Sequence, residues 1–349
     1  MTLAQALQTL MARKDLSRGQ ARGLLNRVFA GEASDAQVAG LLVALAMKGE
    51  TVEEIVGFAE AMRAAVTDIG LGLRGEGFAC VDTCGTGGNE RRTFNVSTAA
   101  AFVAAGAGQP VAKHGNRTST SVSGSADVLE RAGVNLEFPP ERLGSCLRAT
   151  GIVFLYAPLL HGAMKQVMPA RRALQVRTIF NLLGPLTNPA GAGAQVVGVP
   201  ATALIPTMAN ALLRLGTRHS FVVRSQDGLG ELSTTALTDV AEVVEGQVHT
   251  YTIDAQTLGL PRARVDDLAC ASAEEAVKQL QSVLAGEPGP KRDVVCLNAA
   301  AALVAGGKAT DLGEGLEMAR ESIDTGAARS KLEALAAFTQ KKWAQGESG

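Results

Sequence analysis

From about residue 75 to the C-terminus short β-rich runs alternate with helical ones, and this alternation narrows the fold more than any other feature of the chain. The β-rich runs are FACVDT (78–83), PVAKHG (110–115), VNLEF (134–138), IVFLYA (152–157), AQVVGVP (194–200) and HSFVVRS (219–225), followed by a hairpin-like VAEVVEGQVHTYTI (240–253). Helical runs fill the gaps near 97–107, 122–132, 140–149, 203–215, 273–285, 293–305, 314–324 and 327–343. Parallel neighbouring strands need a crossover, usually a helix, so the pattern predicts a large α/β domain over 75–345 with a mostly parallel central sheet. Ligands of such sheets lie near the carboxyl ends of the strands.

The first 68 or so residues read differently. Apolar positions recur at helical spacing in LLNRVFAG (24–31), VAGLLVALAMKG (38–49) and IVGFAEAMRAAV (55–66), with no β-rich run between them. Ser34 with Gln37, and Thr51 with Glu54, have the spacing of a capping box, in which two side chains satisfy orphan amides at a helix start. A small helical domain over 1–70 is expected, followed by a glycine-rich linker, GLGLRGEG (70–77).

Charge disfavours several functions. Charged residues make up 19% of the chain and the net charge is −1, so no long-range field gathers DNA, RNA or an acidic membrane, and any phosphate must be caught locally. No apolar run reaches spanning length and the N-terminus lacks a secretory pattern; a cytoplasmic location is expected. Cys80, Cys84, Cys146, Cys270 and Cys296 are odd in number and lack metal-ligand spacing, which suits reduced thiols packed in a core.

CGTGGNERRTFNVST (84–98) offers a place to catch that phosphate. It follows a strand and leads into a helix near Ser97 and Thr98; glycines allow close backbone approach, and a helix start adds partial positive charge. The stretch is neither a Walker loop nor a dinucleotide fingerprint. An ordinary tight turn with Ser97 as a cap would read the same way, and what favours a site is a second polar cluster, VAKHGNRTSTSVSGSAD (111–127). It sets Lys113, His114, Asn116 and Arg117 between a strand and a helix, the expected place for a substrate loop. A third cluster, MPARRALQVRTIFNLLGPLTNP (168–189), carries Arg171, Arg172 and Arg177. His161 is read as a satisfied interior histidine.

In their order, GTGG, TFNVST, AKHGNR, SGSADVLE, RTIFNLLGPLTNP and DGLGE resemble the anthranilate phosphoribosyltransferase family from the N-terminal helices to the last one. Related pyrimidine nucleoside phosphorylases share the architecture but carry a Lys-His-Ser type loop where this chain has Gly115, Asn116 and Arg117. The resemblance implies that a middle segment near 160–185 joins the helical domain, and that homodimers form through that domain. It implies transfer of the phosphoribosyl group of 5-phosphoribosyl-1-pyrophosphate to the amine of anthranilate, with electrostatic, Mg²⁺-assisted catalysis and no catalytic triad. It further implies that Gly85, Gly88, Asn89, Thr93, Asn95, Ser97, Thr98, Lys113 and Ser125 line the phosphoribosyl pyrophosphate. Gly85, His114, Asn116 and Arg171 would hold anthranilate, and Ser97 and Glu231 the metal. Neither nucleic acid nor a membrane is an expected partner.

Two positions depart from the family pattern. Asn89 stands where an aspartate usually follows GTGG, and Gly230-Glu231 replaces an Asp-Glu pair. A metal held between the substrate's own phosphates survives this change, whereas a second ion tied to the acidic pair is weakened. Glu90 and Asp227 lie close enough in sequence to compensate. A paralogue of the same fold that binds phosphoribosyl compounds or nucleic acid, or uses another acceptor, stays open on the sequence.

Overall fold

The N-terminal helices start where the side chains cap them. In the computed structural model, which describes residues 1–71, 80–88, 93–117 and 123–341, α1 (Leu3–Met11), α2 (Arg18–Phe29), α3 (Asp35–Lys48) and α4 (Val52–Ala64) each begin at a capping box. The Ser34/Gln37 and Thr51/Glu54 pairs are as expected; Thr2/Gln5 and Ser17/Gln20 add two more. Glu54 does more than cap. Its fully buried carboxylate accepts from the amides of Thr51 and Leu16 and from Lys48 Nζ, each at 2.9 Å, and so fastens the end of α3 and the approach to α2 onto α4. A buried charge satisfied this completely is stable in place, while removing one partner costs about 3–5 kcal/mol.

After the linker, most of which (72–77) lies outside the described residues, the α/β pattern begins. In chain order the elements are β1 (Val81–Gly85), α5 (Val96–Gly106), β2 (Val111–Gly115), α6 (Ser125–Arg131), α7 (Leu143–Thr150), β3 (Ile152–Tyr156), α8 (Ala157–Leu160), α9 (Met168–Leu174), α10 (Phe180–Leu183), β4 (Ala194–Gly198), α11 (Leu204–Arg214), β5 (His219–Ser225), β6 (Thr238–Val244), β7 (Gln247–Ile253), α12 (Ala273–Leu284), α13 (Pro290–Gly306), α14 (Leu312–Asp324) and α15 (Ala327–Gln340). The seven strands form one sheet ordered β3-β2-β1-β4-β5-β6-β7. The first five run parallel, and β6 and β7 close one edge as an antiparallel hairpin. Its two-residue turn, Glu245-Gly246, has positive φ at both positions, the conformation that matches strand twist.

One expected strand is absent. VNLEF (134–138) is irregular, although Val134, Leu136 and Phe138 are buried as the alternation required. Its polar backbone is satisfied otherwise: the Asn135 amide donates to Thr339 Oγ1 (3.1 Å), its Nδ2 to the Thr339 carbonyl (3.3 Å), and the Glu137 amide to Asn135 Oδ1 (3.0 Å). Pro139 and Pro140 follow at once and cannot donate to a ladder.

Two apolar clusters fill the molecule. One joins α5, α7, α12, α13, α14 and α15 to one face of the sheet. The other joins the four N-terminal helices to Val167, Ala170, Ile179, Leu183, α11 and, from the opposite face, Val197, Val222 and Ala241. Four of the five cysteines are buried and none forms a disulfide.

Candidate active site

Strand order reverses between β1 and β4: from β1 the chain moves first toward β2 and β3, later toward β4 and β5. A crevice opens at the carboxyl ends of strands at such a switch point. Three strands end there in glycine, namely Gly85, Gly115 and Gly198. Gly85 pairs with Gly198, and a Cβ on Gly198 would stand 1.7 Å from the Gly230 carbonyl oxygen. The bare α-carbon is what lets the segment containing Glu231 descend onto the sheet end.

Beyond β1, Gly87 and Gly88 both have positive φ, and a Cβ on Gly88 would stand 2.2 Å from Arg177 Nη1. Arg177 lies across this turn, donating to the Gly87 and Thr86 carbonyls at 3.4 and 3.5 Å. Asn89 and Glu90 lie outside the described residues. Helix α5 starts at Val96, with Asn95 as its N-cap; the Asn95 side chain does not cap the helix but exchanges hydrogen bonds with Ser123 (2.9 and 3.2 Å). Ser97 and Thr98 therefore occupy the first turn, where the helix dipole is positive; the Thr98 amide donates to the Asn95 carbonyl (3.0 Å) and the Val96 amide to that of Phe94 (2.8 Å). The hydroxyls of Thr86, Thr98 and Thr178 are buried without a hydrogen-bond partner among the described residues. Thr93 pairs with Ala269 in an isolated bridge.

Lys113 and His114 are consecutive on β2, so they face opposite sides of the sheet. Lys113 is buried; its ammonium donates to the Thr83 carbonyl and lies 3.4 Å from Ser97 Oγ, while Thr83 Oγ1 donates to the Ser97 carbonyl at 2.8 Å. Burial pushes the lysine below its ordinary range; Asp82, Cys84 and Glu231 oppose that shift. Glu231, half-buried, thus lies within the electrostatic reach of Lys113.

His114 turns the other way. Its Nδ1 is 3.1 Å from the Gly184 carbonyl and its Nε2 is 3.1 Å from Nε2 of His161. A carbonyl only accepts, so the network assigns the proton to Nδ1 of His114 and makes His161 the donor at Nε2. Burial, then the neighbouring His161, lowers His114 to about 3; burial alone lowers His161 to about 4. Both rings are neutral at pH 7. His161 is interior and satisfied, as expected, but its partner is a candidate site residue.

Arg171, on α9, stacks over Phe180 with Cζ 5.6 Å from the ring centroid, and burial lowers its pKa. Its guanidinium has no ion pair among the described residues. Ser125, at the start of α6, lies beneath Gly115, where a Cβ would be 2.2 Å from the serine Oγ. Asn116 is exposed, its Oδ1 taking the Arg117 amide at 2.7 Å. Arg117 is drawn away from the strand ends, forming ion pairs with Glu130 (2.8 Å) and Asp127 (3.1 Å) on α6.

Sequence reading passed over Asp82 and Asn188. Asp82 is fully buried: one carboxylate oxygen takes the His114 amide (3.1 Å), the other Asn188 Nδ2 (2.8 Å), which also donates to the Ala112 carbonyl (2.8 Å). Burial raises the Asp82 pKa, opposed chiefly by Lys113. The signal was a carboxylate inside a strand with no other charge, VDTCG. Burial, reinforced by Asp82, pushes the Cys84 thiol well above the usual range, away from the thiolate a nucleophile needs.

The chain is similar to known proteins over most of its length. The family described as "Glycosyl transferase family, helical bundle domain" matches residues 4–66, and "Glycosyl transferase family, a/b domain" matches 78–329. Anthranilate phosphoribosyltransferase of Symbiobacterium thermophilum is 50% identical over 94% of this chain and 95% of its own. The crystal structure of the Thermus thermophilus anthranilate phosphoribosyltransferase superposes with a TM-score of 0.89 at 42% identity, covering 96% of this chain and 99% of its own. That of the Saccharomyces cerevisiae enzyme in complex with PRPP and Mg superposes with a TM-score of 0.87 at 26% identity, covering 96% and 97%.

Proposed function

The chain belongs to the anthranilate phosphoribosyltransferase family, and from that premise we propose how its residues share the reaction. The enzyme transfers the 5-phosphoribosyl group of 5-phosphoribosyl-1-pyrophosphate to the amine of anthranilate, giving N-(5-phosphoribosyl)anthranilate and pyrophosphate. The observation that carries our assignment is the divergence of Lys113 and His114. One side chain meets the first turn of α5, the other meets His161 and the Gly184 turn.

On the first side, Gly85, Gly88, Thr93, Asn95, Ser97, Thr98, Lys113 and Ser125 hold the phosphoribosyl pyrophosphate; Asn89 joins them by motif alone. Bond cleavage leaves positive charge on the ribose and negative charge on the departing pyrophosphate. Lys113 and the positive end of the α5 dipole are fixed before that charge develops, so they stabilise it without reorganising. On the second side, Gly85, His114, Asn116 and Arg171 hold anthranilate. A half-buried guanidinium without an ion pair among the described residues suits the anthranilate carboxylate, which it can grip through two parallel hydrogen bonds. Neutral His114 and His161 keep this pocket from repelling protons on the reacting amine. An aryl amine needs no strong base to attack, so no triad is required.

Among the described residues no group of three or more His, Cys, Asp and Glu side chains forms a metal cage. That donor set still fits Mg²⁺, which rides on substrate phosphates and needs only one or two protein oxygens. Ser97 and Glu231 would supply them, and the ion would add positive charge at the pyrophosphate oxygens. Gly230 and Asn89 leave a second ion poorly held. We place the enzyme in the cytoplasm as a homodimer, with residues 1–70 and the segment near 160–185 as the associating domain and 75–345 as the larger one. Exposed Met11 (77%) on α1 and Met47 (71%) on α3 support that surface. No helix among the described residues is long and apolar enough to cross a membrane. Loss of anthranilate fluorescence that requires both phosphoribosyl pyrophosphate and Mg²⁺ is the direct test; loss without either would contradict the assignment.

A further inference from the structure

We propose that the junction of α2, α4 and α11 is a second anion site, built for a phosphate dianion and made of none of the residues assigned to the reaction. An open surface pocket of about 300 Å³ there is lined by Arg18, Arg22, Glu60, Arg63, Arg214 and Leu215, with Arg22 and Arg214 exposed to solvent. The packing that makes it is tight. A Cβ on Gly57 of α4 would stand 2.4 Å from the Arg18 carbonyl oxygen and 2.8 Å from Ala21 Cβ, so α2 and α4 touch backbone to backbone. That contact sets Arg18 and Arg22, one turn apart on α2, beside Glu60 and Arg63 on α4; Arg214 enters from the last turn of α11.

Charge in this pocket is not balanced from within. Arg18 pairs with Glu60, and Arg214 lies 3.7 Å from Glu53. Arg22 and Arg63 have no direct ion pair among the described residues, though both lie within the electrostatic reach of Glu60, which Arg18 already holds. Arg63 donates only to main-chain carbonyls, Leu186 at 2.7 Å and Leu215 at 3.4 Å, and burial lowers its pKa. Four guanidiniums against two carboxylates leave two positive charges, the complement of a hydrogen phosphate. The site also opposes its helix: α2 has no acidic residue in its first turn and carries Arg18 there, against the positive end of the dipole. An anion relieves both repulsions, and planar guanidinium forks suit phosphate oxygens.

Occupancy would bridge the helical bundle to the sheet domain, because α2 and α4 belong to the first and α11 packs on the sheet. Arg63 extends the link, since Leu186 lies two residues beyond Gly184, the acceptor of the His114 Nδ1 proton.

The test is calorimetric titration of the full-length enzyme with inorganic phosphate at low ionic strength, with chloride of equal ionic strength as control. Two classes of site are expected in the wild type. Arg22→Ala/Arg214→Ala should lose one class by at least tenfold in affinity while keeping basal turnover, and Lys113→Met should lose the other. A parallel titration with pyrophosphate ranks free phosphate against the reaction product as the ion taken at the arginine class. Crystals grown with phosphate should show it between Arg22, Arg63 and Arg214, a readout independent of any variant. A double variant that titrates like the wild type, or crystals without an anion in this pocket, would overturn the proposal.

Discussion

The Nε2 atoms of His114 and His161 lie 3.1 Å apart, although the residues are 47 positions apart in sequence. With His114 Nδ1 committed to the Gly184 carbonyl, His114 can gain a proton only at Nε2, which would set its N–H against that of His161, while burial alone disfavours a charged His161. The pair ties the end of β2 to the segment that carries Arg171.

This arrangement makes stability depend on pH with a definite sign. Unfolded imidazoles titrate near 6.5, whereas His114 and His161 are lowered to about 3 and about 4 in the fold. Between those limits the unfolded chain binds more protons, so the stability these rings contribute is whole above about pH 6.5 and is lost as pH falls toward 4 and then 3. Denaturant unfolding should show a loss of up to about 1.4 kcal/mol per pH unit for each ring below 6.5. His161→Asn should flatten that slope; a slope equal to the wild type would mean the rings are not held neutral.

Arg171→Ala should raise KM for anthranilate by roughly 10- to 100-fold, the equivalent of about 1.5–3 kcal/mol for a charge-assisted hydrogen bond, with little change in KM for phosphoribosyl pyrophosphate. Steady-state kinetics with each substrate varied in turn decides this. Equal effects on both constants would detach Arg171 from the acceptor.

Lys113→Met should act in the opposite sense. It removes the cation that lies 3.4 Å from Ser97 Oγ and leaves Asp82 with less compensation, so kcat/KM for phosphoribosyl pyrophosphate should fall at least about tenfold, roughly 1.4 kcal/mol. Binding of anthranilate, measured by fluorescence, should persist.

The metal assignment rests on Glu231. Glu231→Gln should raise the Mg²⁺ concentration giving half-maximal rate, and Gly230→Asp should lower it by restoring a second carboxylate. Magnesium titrations of the three proteins that overlay would return Glu231 to an ordinary half-buried side chain. Gly198→Ala should cost about 1–3 kcal/mol in unfolding experiments, since its Cβ would collide with the Gly230 carbonyl.

Much of this protein was set by local sequence. Hydrophobic period distinguished the helical first 68 residues from the alternating remainder, and Thr51 with Glu54 marked a helix start correctly because capping depends on four consecutive residues. The glycines of GTGG marked a place where backbone can approach closely, and the polar motifs pointed to the candidate site. Other features arise only when distant segments meet. VNLEF is buried in alternation yet forms no strand, because Thr339, over two hundred residues away, takes its hydrogen bonds. Glu54 read as a cap and became a buried anchor for Leu16 and Lys48; Asp82 read as nothing and holds the backbone of His114. Arg117 was read as part of a substrate loop, and the fold gives it ion pairs with Glu130 and Asp127 that its own neighbours in sequence do not show. Periodicity and capping are properties of neighbouring residues and survive in the one-dimensional string. Burial of charge, the choice of partner and the approach of two backbones are long-range, and the folded chain alone determines them.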